Sequence, residues 1–175
     1  GIPHVLAREP GGTQIGEEIR RALLHGGDVP ARTELLLMLA ARAAFVDQVV
    51  KPALARGAVV VADRYELSSL AYQGGGRGLG FEGVRAVNDF ATAGLRPDVT
   101  LLLDVPLEDG IARREQRDGH PDRIERAGDE FHSAVAGAYR LLSVTEPGVL
   151  VVSGTVAAEA VDASILAVRW SRFPR

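Results

Sequence analysis

An apolar run, Ala58-Val59-Val60-Val61-Ala62, ends in Asp63-Arg64-Tyr65. A carboxylate and a guanidinium leave the strand together there, either as a structural ion pair or as the floor of an anion site. Ser68, Ser69, Tyr72 and Gln73 follow, then Gly74-Gly75-Gly76-Arg77. Hydroxyl, amide, ring and guanidinium in that order suit a base edge, a sugar and a phosphate approached from one side. A second group, Arg8-Glu9-Pro10-Gly11-Gly12-Thr13, ends another short apolar run. Glycines permit close approach and Thr13 is a helix cap by type, so by itself this is a turn with a cap. A third set is Arg113, Arg114, Arg117 and Arg123 around Gly119, with Asp122 and Glu125 close by. Arg113 and Arg117 share a helix face at i, i+4. A solvated charged face fits the set, and so does a mobile lid that brings cations to a transferring phosphoryl group and excludes water.

These groups need elements to position them. His4 to Ala7, Ala58 to Ala62, Val99 to Val105 and Val149 to Val152 read as strands, the middle two buried on both faces as in a parallel sheet. Helical periodicity runs from Gln14 to Leu24, from about Pro30 to Arg56 with a kink or restart at Pro52, and over Phe81 to Ala93, Leu107 to Arg117, Ala127 to Leu142 and Ala157 to Trp170. The first half of the long helix is apolar nearly all round, which predicts burial there. Gly74 to Gly80 reads as a glycine-rich loop. Alternating strands and helices predict one α/β domain over residues 1–175 with a parallel sheet, its ligands beyond the carboxyl ends of the strands.

Composition narrows the function. Of 175 residues, 46% are hydrophobic and 25% charged, with a net charge of −3. That balance argues against a nucleic-acid-coating surface, and no apolar run has the ~18 residues of a membrane span. Cysteine is absent, which excludes disulfides and thiolate metal sites and fits a reducing cytoplasm. Lys51 is the only lysine among 20 basic residues, and arginine suits bidentate phosphate recognition.

Taken with Arg96-Pro97-Asp98-Val99-Thr100, Leu103-Asp104-Val105 and Asp122-Arg123-Ile124-Glu125, these motifs resemble bacterial thymidylate kinases in order and spacing over nearly the whole chain. The resemblance implies the three-layer α/β/α sandwich of the P-loop nucleoside monophosphate kinases, with a lid at about 113–127. It implies phosphorylation of dTMP by ATP with Mg²⁺, in a cytoplasmic homodimer. By the same resemblance, Arg8 and Arg64 grip the dTMP phosphate. Arg42 contacts base or phosphate, and Ser69 and Gln73 read the thymine edge. Tyr72 packs on the deoxyribose. Glu9 and Arg77 belong to the substrate site. Asp63 positions Mg²⁺ through water, Arg113 and Arg117 stabilise the migrating phosphoryl group, and Arg123 and Glu125 belong to the lid.

Three departures qualify the match. Met38 stands where many relatives stack an aromatic ring on thymine. The lid carries an extra residue near Asp118 and Glu115 at a commonly basic position. The pattern Gly-x-x-x-x-Gly-Lys-[Ser/Thr] is not found in these residues. The family carries it on a central strand-loop-helix unit ahead of the Arg-Glu-Pro motif, so ~30–40 residues are expected upstream of Gly1. Two further readings follow: a non-catalytic nucleotide-binding protein that keeps only the monophosphate pocket, and a kinase for another monophosphate.

Overall fold

The computed structural model describes residues 1–116 and 121–167. In chain order they form β1 (His4–Arg8), α1 (Gln14–His25), α2 (Ala31–Phe45), a π-helical turn (Val46–Val50), α3 (Lys51–Ala55), β2 (Val59–Asp63), α4 (Glu66–Ser69), a π-helical stretch (Leu70–Gly76) and α5 (Phe81–Thr92). Then come β3 (Thr100–Asp104), α6 (Leu107–Glu115), α7 (Asp129–Thr145), β4 (Val149–Ser153) and α8 (Ala158–Ala167). Two compact units divide them, residues 1–96 with 121–138, and residues 97–116 with 139–167.

In the first unit β1 and β2 pair in parallel, from His4 opposite Val59 to Arg8 opposite Asp63. A parallel pair needs a helical crossover, supplied here by α1, α2 and α3. Thr13 caps α1, its Oγ1 accepting from the Gly16 amide at 3.0 Å. The long helix is interrupted as Pro52 requires. Proline has no N–H to donate back to the preceding turn and its ring crowds that turn's carbonyl, and the widened π turn at Val46–Val50 absorbs the misfit before α3 restarts. The core gathers Leu23, Leu39, Phe45, Val46, Leu70 and Val84, all nearly or wholly buried.

Three expectations need correction. The first half of α2 is not buried all round: Leu35 and Leu39 are buried while Leu36 is 61% exposed. Nor are β2 and β3 covered on both faces. Val59 and Val61 are 48% and 53% exposed, and Leu101 and Leu103 39% and 51%. A helix packs on each pair, α3 on β2 and α8 on β4, and a β-branched run does not reveal whether a second layer is present.

The third correction concerns Gly74 to Gly80. The helix continues through Gly76, because the glycines are where α7 approaches. A Cβ on Gly75 would stand 2.5 Å from the Ala138 Cβ, and one on Gly76 2.6 Å from Val135 and 2.7 Å from Phe131. Only Arg77 to Gly80 is left to turn, with Gly78 and Gly80 at φ +70° and +79°.

The second unit holds β3 and β4, parallel from Thr100 opposite Val149 to Asp104 opposite Ser153, with α6, α8 and the end of α7. Among the described residues no helix is long and apolar enough to cross a membrane.

Candidate active site

The carboxyl ends of β1 and β2 open the first unit's polar region. Arg8 and Asp63 are register partners there, and both are exposed. Arg8 stands 3.8 Å from Glu17 in a loose, solvent-screened pair. Arg64 follows at φ +72°, a left-handed conformation that a side chain rarely adopts and that clusters at functional sites. The turn swings its guanidinium over the Tyr72 ring, 5.4 Å from the centroid.

Behind this rim lie two buried ionic knots. The first is built on Arg42, 3% exposed. Its Nε donates to Glu9 Oε2 at 2.7 Å, Nη1 to Ser69 Oγ at 3.0 Å and to Asn88 Oδ1 at 2.7 Å, and Nη2 to the Tyr65 carbonyl at 3.1 Å. One guanidinium thereby ties the end of β1, the turn after β2, the end of α4 and the middle of α5. Asn88 completes the set by donating to Glu66 at 3.1 Å. Glu9 is 4% exposed and its Oε1 has no hydrogen-bond partner among the described residues. Burial pushes the Glu9 carboxyl above its ordinary range, and Arg42 only partly offsets that push.

The second knot is built on Glu34, which is fully buried. Oε1 accepts from Gln73 Nε2 at 2.8 Å and Arg77 Nε at 3.2 Å, while Oε2 accepts from Arg77 Nη2 at 3.0 Å and Arg123 Nη2 at 2.8 Å. Burial alone would raise the Glu34 carboxyl, but the bonds from Arg77, Gln73 and Arg123 outweigh it and hold the group low. Arg77 also lies over the Phe131 ring at 4.2 Å. Glu34, Met38 and Arg42 recur every four residues, so both knots and the half-buried methionine share one stripe of α2.

Arg123 and Glu125, expected in a lid, are pinned as well. Arg123 donates from Nε to the Leu23 carbonyl at 2.8 Å and from its amide to the Leu24 carbonyl at 3.0 Å. Glu125 accepts from the Asp122 amide at 2.8 Å, and Asp122 Oδ1 accepts in return from the Ile124 and Glu125 amides. Glu125 thus orders its own turn.

The structure brings together Arg8, Glu9, Arg42, Asp63, Arg64, Ser69, Tyr72, Gln73, Arg77, Arg123 and Glu125 within one unit. Arg113 belongs to the other, where its Nη2 donates to the Gly154 carbonyl at 2.9 Å. Arg117 lies outside the described residues. Sequence reasoning missed Glu34 and Asn88. The available signal was a lone acid in the Leu-rich start of α2, four residues before Met38 and eight before Arg42.

Among the described residues no three His, Cys, Asp or Glu side chains gather as a metal cage. Asp63, exposed at a strand end, fits the sparser mode in which Mg²⁺ keeps its waters and is held by one carboxylate together with substrate phosphates.

The thymidylate kinase family model matches residues 1–165. A thymidylate kinase of Fervidobacterium nodosum is 43% identical over 96% of this chain and 84% of its own length. Thymidylate kinases of two Pseudomonas putida strains are 50% and 51% identical, over 84% and 79% of this chain and 72% and 67% of theirs. The match over 165 residues of this α/β chain and the identities to these relatives carry one conclusion: the chain belongs to the thymidylate kinase family.

Proposed function

We propose that the protein transfers the γ-phosphoryl group of ATP to dTMP, and that the first unit is its monophosphate site. The new P–O bond forms on a dTMP phosphate oxygen, the bond to the ADP oxygen breaks, and dTDP and ADP leave. The observation that carries the reading is the division of labour among the arginines. Arg42 is buried and gives hydrogen bonds to four protein acceptors, whereas Arg8 and Arg64 are exposed at the strand ends, where a phosphate needs two cations.

In this reading Arg8 and Arg64 anchor the phosphate, and the Tyr72 ring holds Arg64 on one side while packing the deoxyribose. Ser69 and Gln73, one helical turn apart, meet the base edge, with Met38 on the ring face. Glu9, Arg42, Arg77, Arg123 and Glu125 keep the walls in place. Mg²⁺, held by Asp63 through water, supplies neutralising charge to the phosphates. By family resemblance Arg113 and Arg117 add positive charge to the phosphoryl group in transfer, within a lid at about 113–127. The same resemblance makes the protein a cytoplasmic homodimer, and the exposed Leu36 on α2 suits contact with a second copy.

The test is dTDP formation by the complete product of the reading frame, followed by phosphorus NMR with ATP, Mg²⁺ and dTMP. The expected result is stoichiometric dTDP and ADP, abolished by a chelator. Tight dTMP binding without turnover would instead establish the non-catalytic reading, which relatives named as kinases across most of the chain do not favour.

A further inference from the structure

Carboxylates only accept hydrogen bonds, guanidinium groups only donate, and an amide or hydroxyl does either. A neutral group bonded to an ion therefore has its polarity decided by that ion. Gln73 is 1% exposed and its amide stands 2.8 Å from Glu34 Oε1. Glu34 can only accept, so the amide must turn its NH₂ inward, and the oxygen is left over. Gln73 Oε1 accepts nothing from the described residues. Asn88 is a contrast within the same unit: its oxygen accepts from Arg42 and its NH₂ donates to Glu66, so both ends are used. Ser69, one turn before Gln73, is set the other way. Its oxygen accepts from Arg42 at 3.0 Å, which leaves the hydroxyl proton to donate.

We propose that Glu34, without touching the nucleotide, selects pyrimidines that carry an N3–H by locking the Gln73 amide with its oxygen toward the base. This rests on the reading of Ser69 and Gln73 as base contacts. A donor at Ser69 beside an acceptor at Gln73 complements O4 and N3–H of thymine or uracil. Cytosine presents an N4 amino donor and an N3 acceptor, the reverse at both positions. The 5-methyl group plays no part in this step, so Glu34 separates dTMP and dUMP from dCMP and leaves dTMP against dUMP to other contacts.

The substitution Glu34→Gln makes the point testable. An amide NH₂ at the Oε2 position would face two guanidinium donors, Arg77 at 3.0 Å and Arg123 at 2.8 Å, against the single longer one from Arg77 Nε at 3.2 Å at the Oε1 position, so it settles at the Oε1 position. There it donates to Gln73 and turns that amide over. The expected result, in the complete protein, is a fall of at least about tenfold in the kcat/KM ratio of dTMP to dCMP. Val84→Ala, which thins the core at a residue with no side-chain polar group in either knot, should leave the ratio as in the wild type. An equal fall there would mean simple loosening and would overturn the proposal. Gln73→Leu separates the two layers of the argument. An unchanged ratio in Gln73→Leu would remove Gln73 from the base site altogether. A fall in Gln73→Leu with none in Glu34→Gln would sink the role of Glu34 alone. If Glu34→Gln does not fold, neutron diffraction from deuterium-exchanged wild-type crystals with dTMP decides: amide deuterium toward Glu34 supports the proposal, and amide deuterium toward the base refutes it.

Discussion

Arg64 offers a perturbation in which backbone and side chain separate. Its φ of +72° costs a residue with a Cβ about 1–2 kcal/mol. Arg64→Ala keeps that strain and removes the guanidinium. Arg64→Gly removes both. Each loses the contact over Tyr72, 5.4 Å from the ring centroid, so that loss cancels in the comparison. Glycine gives back about 0.5–1 kcal/mol through the entropy of the unfolded chain. The net expectation is that Arg64→Gly is more stable than Arg64→Ala by about 0.5–1 kcal/mol, roughly 2 °C in melting temperature for a chain of this size. If Arg64 anchors the phosphate as proposed, turnover should fall by about 10²-fold or more in both. Urea unfolding and dTMP turnover of the two variants, measured side by side, are the assay. Equal stabilities would refute the strain, and wild-type turnover in either would refute the anchor.

The glycine contacts and the two buried carboxylates give further checks. Gly75→Ala places a Cβ 2.5 Å from that of Ala138, an overlap expected to cost about 1–3 kcal/mol. Adding Ala138→Gly should recover part of it in a double-mutant cycle by denaturant unfolding, and strict additivity would contradict the contact. Glu34 and Glu9 should titrate with opposite signs. The Glu34 pKa lies below its reference of 4.5, so its stabilisation is intact above that value and is lost as pH falls through the folded pKa. Wild type should then lose stability below about pH 4.5 that Glu34→Gln, which has no proton to gain, does not. The Glu9 pKa is raised, chiefly by burial, so protonation relieves the fold. The wild-type stability relative to Glu9→Gln should rise as pH drops through that raised value. A shared loss of stability in acid would refute the Glu9 assignment, and a shared gain that of Glu34.

Much of the fold was legible because its signals are local. Thr13 caps α1, Pro52 interrupts the long helix, and each β-branched or leucine run became a strand within a residue or two of its reading. What escaped depends on distant partners. Gly74-Gly75-Gly76 looks like a loop until α7 is seen to press on it, and α7 lies more than 50 residues away. One-sided burial of β2 and β3 turns on which layers cover them, which periodicity does not carry. At the site, the placement of Arg8, Asp63 and Arg64 at strand ends was readable because the apolar runs that carry them are local. The buried knots were not. The four protein acceptors of Arg42 lie 23 to 46 residues away in sequence, and Glu34 was passed over because a single acid in an apolar helix declares nothing until Gln73, Arg77 and Arg123 converge on it.

The central claim is that this unit holds a thymidine monophosphate in a definite orientation. A crystal structure of the complete protein with dTMP tests it most directly. The account predicts phosphate oxygens bonded to the Arg8 and Arg64 guanidinium groups, the deoxyribose against Tyr72, and the thymine O4 and N3 at Ser69 and Gln73. A nucleotide bound elsewhere, or bound here with its base at the strand ends and its phosphate on Gln73, would contradict it.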